Sequence, residues 1–324
     1  MLVEGLVSII IPVHNRPALL REATASVLAQ TYRPVEVIIV DDGSTDQTGR
    51  EADALAERHS EVRVIHRRNG GSGAARETGR VAARGEFIQY LDSDDLLLPI
   101  KFELQVAGLR RCSDCAVSYG KTRFYAYGDR PTNAAWKRTG EHIPTMFPSF
   151  LQSRWWGTST PLYRRDVTDL AGPWTELRNE EDWEYDCRIA RHGGRLHYCD
   201  AFVSNERAVP GYRLSTEGST DPEKLRSRAH AHKLILEHAF AAQVAHETHE
   251  MQHFARELFL LARQCGAAGL GEEARILFKL ARQASGTERS RGIDFLLYGA
   301  GAWLVGWRAM GRLACGLDRL RARA

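Results

Sequence analysis

The chain has 324 residues, 43% hydrophobic and 26% charged, which excludes a disordered or low-complexity protein. Its 44 basic and 41 acidic side chains leave a net charge of +3, a balance that does not suggest nucleic-acid binding. The length suits one large domain with an appendage, or two domains, and is enough to bury a sizeable core.

The apolar run 6–13, LVSIIIPV, is predicted as a buried strand. Glu4 stands where a signal peptide would be basic, and the run is far short of the ~20 residues that cross a bilayer. Pro17 suits a first helical turn, which predicts a helix over 17–30. VEVIIVDD, 35–42, is a second strand. Ser44 and Gln47 match a capping box, so a helix is predicted from there to about His59. A strand over 62–66, a helix over 72–84 and a strand over 86–91 follow. These strands are apolar throughout, as in a parallel sheet covered on both faces. The alternation predicts a doubly wound α/β layer, Rossmann-like and mostly parallel, with helices on both faces.

Residues 113–215 are mixed, with short strands predicted at 115–127 and 195–199 and a helix at 180–193 that sets Trp183, Cys187 and Ala190 on one face. Beyond about 220 the pattern is helical. Phe254, Leu258, Leu261 and Cys265 form one stripe, and Leu270, Ala274, Leu277, Ala281 and Ala284 another. Glycines 266, 269 and 271 separate them, as in a helical hairpin of the tetratricopeptide kind. TEGSTDP, 216–222, reads as a linker, giving an α/β domain over 1–218 and a helical C-terminal region over 219–324.

Polar residues collect where the strands stop: His14 and Asn15, Asp41 and Asp42, Asn69 and Gly70, then Asp92, Asp94 and Asp95. Ligands bind outside the carboxyl ends of strands in open α/β sheets, so these groups are expected to converge on one edge. Carboxylates this close repel one another and are costly to desolvate. A hard divalent cation, Mg²⁺ or Mn²⁺, with open positions for substrate phosphates, makes the cluster tolerable. The alternative is a helix N-terminus decorated with aspartates.

Together, SIIIPVHNR, VEVIIVDDGSTDQT and NGGSGAARETGRVAARGEFIQYLDSDDLLLP, with the later EEDWEYDCRIARHGG and GYR, resemble the family-two glycosyltransferases of the GT-A fold. The resemblance covers roughly residues 7–215. It implies an inverting, metal-dependent glycosyltransferase moving one sugar from a nucleotide diphosphate donor, UDP by default, to an acceptor hydroxyl in surface glycan, polysaccharide or glycoconjugate assembly. It implies that Pro12, Val13, His14 and Asp42 cradle the base and ribose. Arg76 would approach the donor phosphates, Asp92 and Ser93 would contact the donor, and Asp94 would hold the metal. Asp95 would cap the following helix. Asp182 would be the general base, with Glu181, Trp156 and Arg213 candidates for the acceptor side. Read without the resemblance, Asp182 is a surface carboxylate on an amphipathic helix rather than a base. The family's processive QxxRW signature and multiple spans are absent, so a single addition is expected. A saccharide or lipid-linked acceptor and a cytoplasmic setting, at the inner face of the membrane, go with that reading.

Other features carry alternatives. NGGSGAAR has GxGxxR rather than the dinucleotide GxGxxG. A sugar nucleotidyltransferase would need a glycine-rich loop after the first strand, where PVHNRP has none. A non-catalytic nucleotide-sugar-binding or partner-recruiting protein on the same fold would use its helical tail. Cys112 and Cys115 form a lone CxxC, read as reduced thiols rather than a metal or redox site. His246, His249 and His253 share a helical face, either solvated or metal-binding. Trp155, Trp156 and Trp174 stack on sugars or fill the core. FLLYGAGAWLVGW, 295–307, is apolar and lies among seven arginines from Arg289 onward. It is either an interfacial helix on an anionic membrane, with peripheral contact through 288–324, or a helix packed on the catalytic domain or in a homodimer.

Overall fold

The computed structural model describes residues 2–210 and 221–321. The chain divides into two units: 1–146, 154–176 and 192–213 form the first, and 147–153, 177–191 and 214–324 the second. The domain boundary expected at 218/219 and all but the last two residues of the expected linker, 216–222, lie outside the described residues.

The first unit is an α/β layer on an eight-stranded sheet of order β3-β2-β1-β4-β7-β6-β8-β5. Its elements are β1 (Val3–Val13), α1 (Pro17–Leu28), β2 (Val35–Asp42), α2 (Thr48–Arg58), β3 (Val62–Arg67), α3 (Ser72–Ala82), β4 (Gly85–Tyr90), β5 (Leu96–Leu97), α4 (Lys101–Arg111), β6 (Val117–Ala126), β7 (Leu162–Arg164), α5 (Arg165–Ala171) and β8 (Leu196–Ala208). The central strands β3, β2, β1 and β4 are parallel, with Ile9 opposite both Val37 and Gln89. β2 is buried along its whole length, which is why its centre, 37–40, is apolar without alternation. Beyond β4 the sheet turns mixed: β7 pairs antiparallel with β4 and β6, and β6 runs parallel to β8. Ile9, Ile11, Leu20, Val27, Ile39, Phe87 and Phe102 are among the side chains forming one core between sheet and helices.

Three local expectations are corrected. The Ser44–Gln47 capping box does not form: α2 starts at Thr48, whose N–H is met by Asp46 at 2.8 Å, while Ser44 Oγ accepts the Asn15 N–H at 3.0 Å. Tying the β1 loop to the β2 loop takes the hydroxyl away from the helix. Cys112 and Cys115 form a disulfide rather than reduced thiols, at the end of α4. β8 extends to Ala208, well past 199, because β6 pairs along it through register shifts at Gly120 and Lys121. The two- and three-residue strands β5 and β7 are too short for any sequence period.

The second unit contains a 3-10 turn (Ser149–Leu151), then α6 (Glu181–Ala190), α7 (Pro222–Ala241), α8 (His249–Ala267), α9 (Gly271–Ala284), α10 (Gly286–Arg289) and α11 (Ile293–Arg321). Both predicted stripes are buried, on α8 and in Leu270 with α9. Gly269, at φ +89°, closes the hairpin, whereas Gly266 lies within α8. A Cβ at 266 would meet Trp307 O at 2.6 Å, so this glycine serves helix packing rather than a turn. His246 precedes α8, which Thr248 caps, so the three histidines do not share one helix. Among the described residues no helix is long and apolar enough to cross a membrane.

Candidate active site

The parallel register sets the ends of β1, β2 and β3 side by side: Val13 faces Asp41, and Asp42 faces Arg67. Asp42 is buried, and its carboxylate accepts the Gly70 N–H at 3.0 Å and the Gly71 N–H at 2.8 Å. Its backbone oxygen lies 3.0 Å from both His14 Nδ1 and Asn69 Nδ2. Three expected clusters are therefore bonded to one another. Gly43, at φ +73°, lets this crowding occur, since a Cβ there would meet the Asn69 backbone nitrogen at 2.7 Å.

The fourth cluster follows β4. Arg76 on α3 is almost fully buried and donates to Asp92 Oδ1 at 2.8 Å, with its guanidinium 4.9 Å from the Trp174 ring centre. Arg16, just before α1, pairs with Asp94 Oδ2 at 3.0 Å. Thr48 accepts the Arg16 N–H at 2.7 Å, which joins the β2 loop to this cluster. Burial, then the Asp92 charge, push the Asp94 carboxyl above its ordinary range despite Arg16. Burial pushes Asp95 much further, reinforced by Glu206, Asp94 and Asp92.

Asp95 does not cap a helix, contrary to expectation. It lies ahead of β5, and α4 begins only at Lys101. Its oxygens accept the Ser159 hydroxyl at 2.6 Å and the Arg207 N–H at 3.1 Å. Arg207 also donates to Asp94 O and pairs with Glu22. Asp95 thus ties the aspartate loop to β8, where two protein donors compensate its burial.

The arrangement fits a divalent cation. Asp92 and Asp94 supply hard oxygen donors. Burial first, and the Asp92 charge second, push the Asp94 carboxyl up, and Arg16 offsets only part of this. A bound Mg²⁺ or Mn²⁺ would offset the repulsion between the two carboxylates.

The remaining expected residues separate. Pro12 and Val13 end β1 beside the cluster, and Ser93 is buried within it. Trp156 is fully buried, its ring 4.8 Å from Trp155 and 5.7 Å from Tyr119, so it offers no exposed face to an acceptor. Trp155 and Trp174 are core as well. Glu181 and Asp182 open α6 in the second unit; Glu181 is buried, Asp182 half-buried with Oδ1 accepting the Trp183 N–H at 2.8 Å. Arg213 lies outside the described residues. Arg16, Arg207 and Ser159 were not picked out in the sequence. Arg16 carried a weak signal, as the last residue of the SIIIPVHNR stretch; the other two carried none.

α6 also carries a charge network that no sequence pattern announced. Glu184 is buried between His238 at 3.0 Å and Arg188 at 2.9 Å. Glu180, just before the helix, meets Arg228 at 3.0 Å and His232 at 3.0 Å. These bonds hold the start of α6 against α7.

Comparison with known proteins agrees with this geometry. Residues 8–166 match the model of glycosyl transferase family 2. An uncharacterized glycosyltransferase, EpsJ of Bacillus subtilis (strain 168), is 43% identical over 98 residues, 30% of this chain and 28% of that protein. Glycosyltransferase GlyG of Streptococcus pneumoniae serotype 4 is 35% identical over 137 residues, 42% and 44% of the two chains. The chain thus spans less than half the length of these curated relatives. The crystal structure of S. aureus TarS 1–349 in complex with UDP-GlcNAc matches with TM-score 0.66 at 20% identity, over 92% of this chain and 91% of that one. The mannosyltransferase PcManGT from Pyrobaculum calidifontis, in complex with GDP-Man and Mn²⁺, matches with TM-score 0.51 at 17% identity, over 99% and 88%. With the bonded clusters at the carboxyl edge of the sheet, residues 8–166 belong to glycosyl transferase family 2, and the chain has the GT-A fold.

Proposed function

We propose that this chain transfers a single sugar from a nucleotide diphosphate sugar to an acceptor hydroxyl, with inversion, using Mg²⁺ or Mn²⁺. The observation that carries this reading is the pairing of Arg76 with Asp92 and Arg16 with Asp94 beside the Asp42 cradle. Cations and carboxylates alternate there as a metal–diphosphate would require. Asp42 and the backbone at Pro12–Val13–His14 would receive the base and ribose. Asp92 and Ser93 would meet the donor, Arg76 its phosphates, and Asp94 the metal. UDP is the favoured nucleotide, supported by the TarS complexes with UDP-GlcNAc and UDP.

The bound cation would supply Lewis-acid stabilisation of the departing diphosphate. Asp182 is proposed as the general base. Its carboxylate takes the acceptor proton as the acceptor oxygen bonds to the anomeric carbon, and the diphosphate leaves with the electron pair of the broken C–O bond. Attack from the face opposite the leaving group inverts the configuration. The proposed setting is glycoconjugate assembly at the cytoplasmic side, with a saccharide or lipid-linked acceptor.

Calorimetric titration with UDP, dTDP, GDP and CDP, each with Mn²⁺ and with chelator, tests the reading. Metal-dependent binding of one nucleotide, lost in Asp94→Ala, is expected. Binding of none of the four would refute it.

A further inference from the structure

α11 is interrupted at Gly306, whose φ of +83° and ψ of +155° are not helical. A Cβ on Gly301 would meet Met310 Sδ at 2.7 Å. A straight helix would set those residues about 13.5 Å apart along its axis, so the chain bends sharply between them. The first limb, 293–305, is apolar on two faces. Phe295, Tyr298 and Ala302 are buried, with Phe295 5.1 Å from Phe259 and 5.7 Å from Phe278. The other face is Ile293, Leu296, Leu297, Trp303 and Leu304, and it lies in solvent. At the bend Trp303 is 85% exposed, Leu304 71% and Val305 60%. Large apolar side chains grouped in this way mark an interaction surface rather than ordinary surface scatter.

The charge beside this face identifies what covers it. The segment 288–324 has seven arginines and three acids, a net +4, while the rest of the chain nets −1. Arg291, Arg308 and Arg312 are exposed, and no carboxylate pairs with them among the described residues. A two-fold contact between copies would set one patch on itself and bring like-charged arginines together. An anionic bilayer receives both features: apolar side chains and Trp enter the headgroup boundary, and arginines meet lipid phosphates. The limb of 13 residues, about 20 Å long, lies at such a surface rather than spanning it.

We propose that the exposed face and bend of α11 form a docking surface for an anionic lipid bilayer. This goes beyond the transferase reading and does not depend on it. The test is co-sedimentation of the full chain with phosphatidylcholine vesicles, with and without phosphatidylglycerol. The substitutions Trp303→Ser/Leu304→Ser and Arg308→Gln/Arg312→Gln serve as variants. All four side chains are exposed, so thermal unfolding and nucleotide binding should match wild type. Wild type is expected to pellet with the anionic vesicles. The serine pair should abolish pelleting, and the glutamine pair should weaken it by about thirtyfold. Wild type remaining in the supernatant with anionic vesicles overturns the proposal, as does equal pelleting of wild type and the serine pair. Sedimentation velocity provides the other arm. A dimer dissolved by the serine pair, with no vesicle binding, would assign the face to a second copy instead.

Discussion

Arg76 donates from Nη2 to Asp92 at 2.8 Å while its guanidinium lies 4.9 Å from the Trp174 ring centre. The indole in turn packs nearly perpendicular to the ring of Tyr90, the last residue of β4, at 4.9 Å between centroids. A buried cation is thus clamped between an aromatic wall and the first aspartate of the motif. A planar fork serves this position better than an ammonium, which lacks both stacking and fork geometry. Arg76→Lys is expected to weaken nucleotide binding by about tenfold or more, measured by calorimetry. Binding equal to wild type would show that the clamp does not bear on the donor.

In the proposed mechanism Asp182 takes the acceptor proton and does not bind the donor. Asp182→Asn is therefore expected to leave nucleotide titration unchanged and to lower the transfer rate by about 10²-fold or more. Loss of nucleotide binding in this variant would move Asp182 to the donor side.

Gly79 sits in α3, where alanine normally stabilises a helix by about 1 kcal/mol over glycine. Here a Cβ would fall 2.3 Å from Ile10 Cγ2 on β1. Overpacking of that kind costs about 1–3 kcal/mol, which exceeds the propensity gain. Gly79→Ala should lower stability in urea unfolding. A stabilised variant would mean that α3 moves off the sheet at little cost.

Glu184 gives the second unit a pH dependence. Burial pushes its carboxyl up, but bonds from His238 and charge and bonds from Arg188 outweigh that and hold it below its usual 4.5. A carboxylate depressed in the fold contributes stability that is fully present above the unfolded value. That stability is lost as pH falls through the folded value. Glu184→Gln should cost about 3 kcal/mol near neutrality, because Arg188 and His238 lose a buried partner. The gap between variant and wild type should shrink below pH 4.5, read from unfolding midpoints across a pH series. A gap that stays constant would remove the ion pair as its cause.

Local chemistry alone was enough for much of this molecule. Residues 37–40, VIIV, are a continuous apolar run because β2 is buried along its length, so a run of that kind could be read without neighbours. Parallel strands then point their carboxyl ends the same way, which is enough to place His14, Asp42, Asn69 and Asp92 on one edge. Tertiary structure decided what adjacent, chemically identical side chains do. Asp94 meets Arg16, whereas Asp95 meets Ser159 and Arg207, which lie 64 and 112 residues away. Three tryptophans suited to sugars or to a core proved to be core. A capping box lost its serine to Asn15, and one histidine of a helical trio fell outside its helix. Burial and periodicity are properties of a segment, so sequence carries them. Partner choice among equal polar groups depends on which distant backbone arrives within hydrogen-bond reach, and only the folded chain determines that.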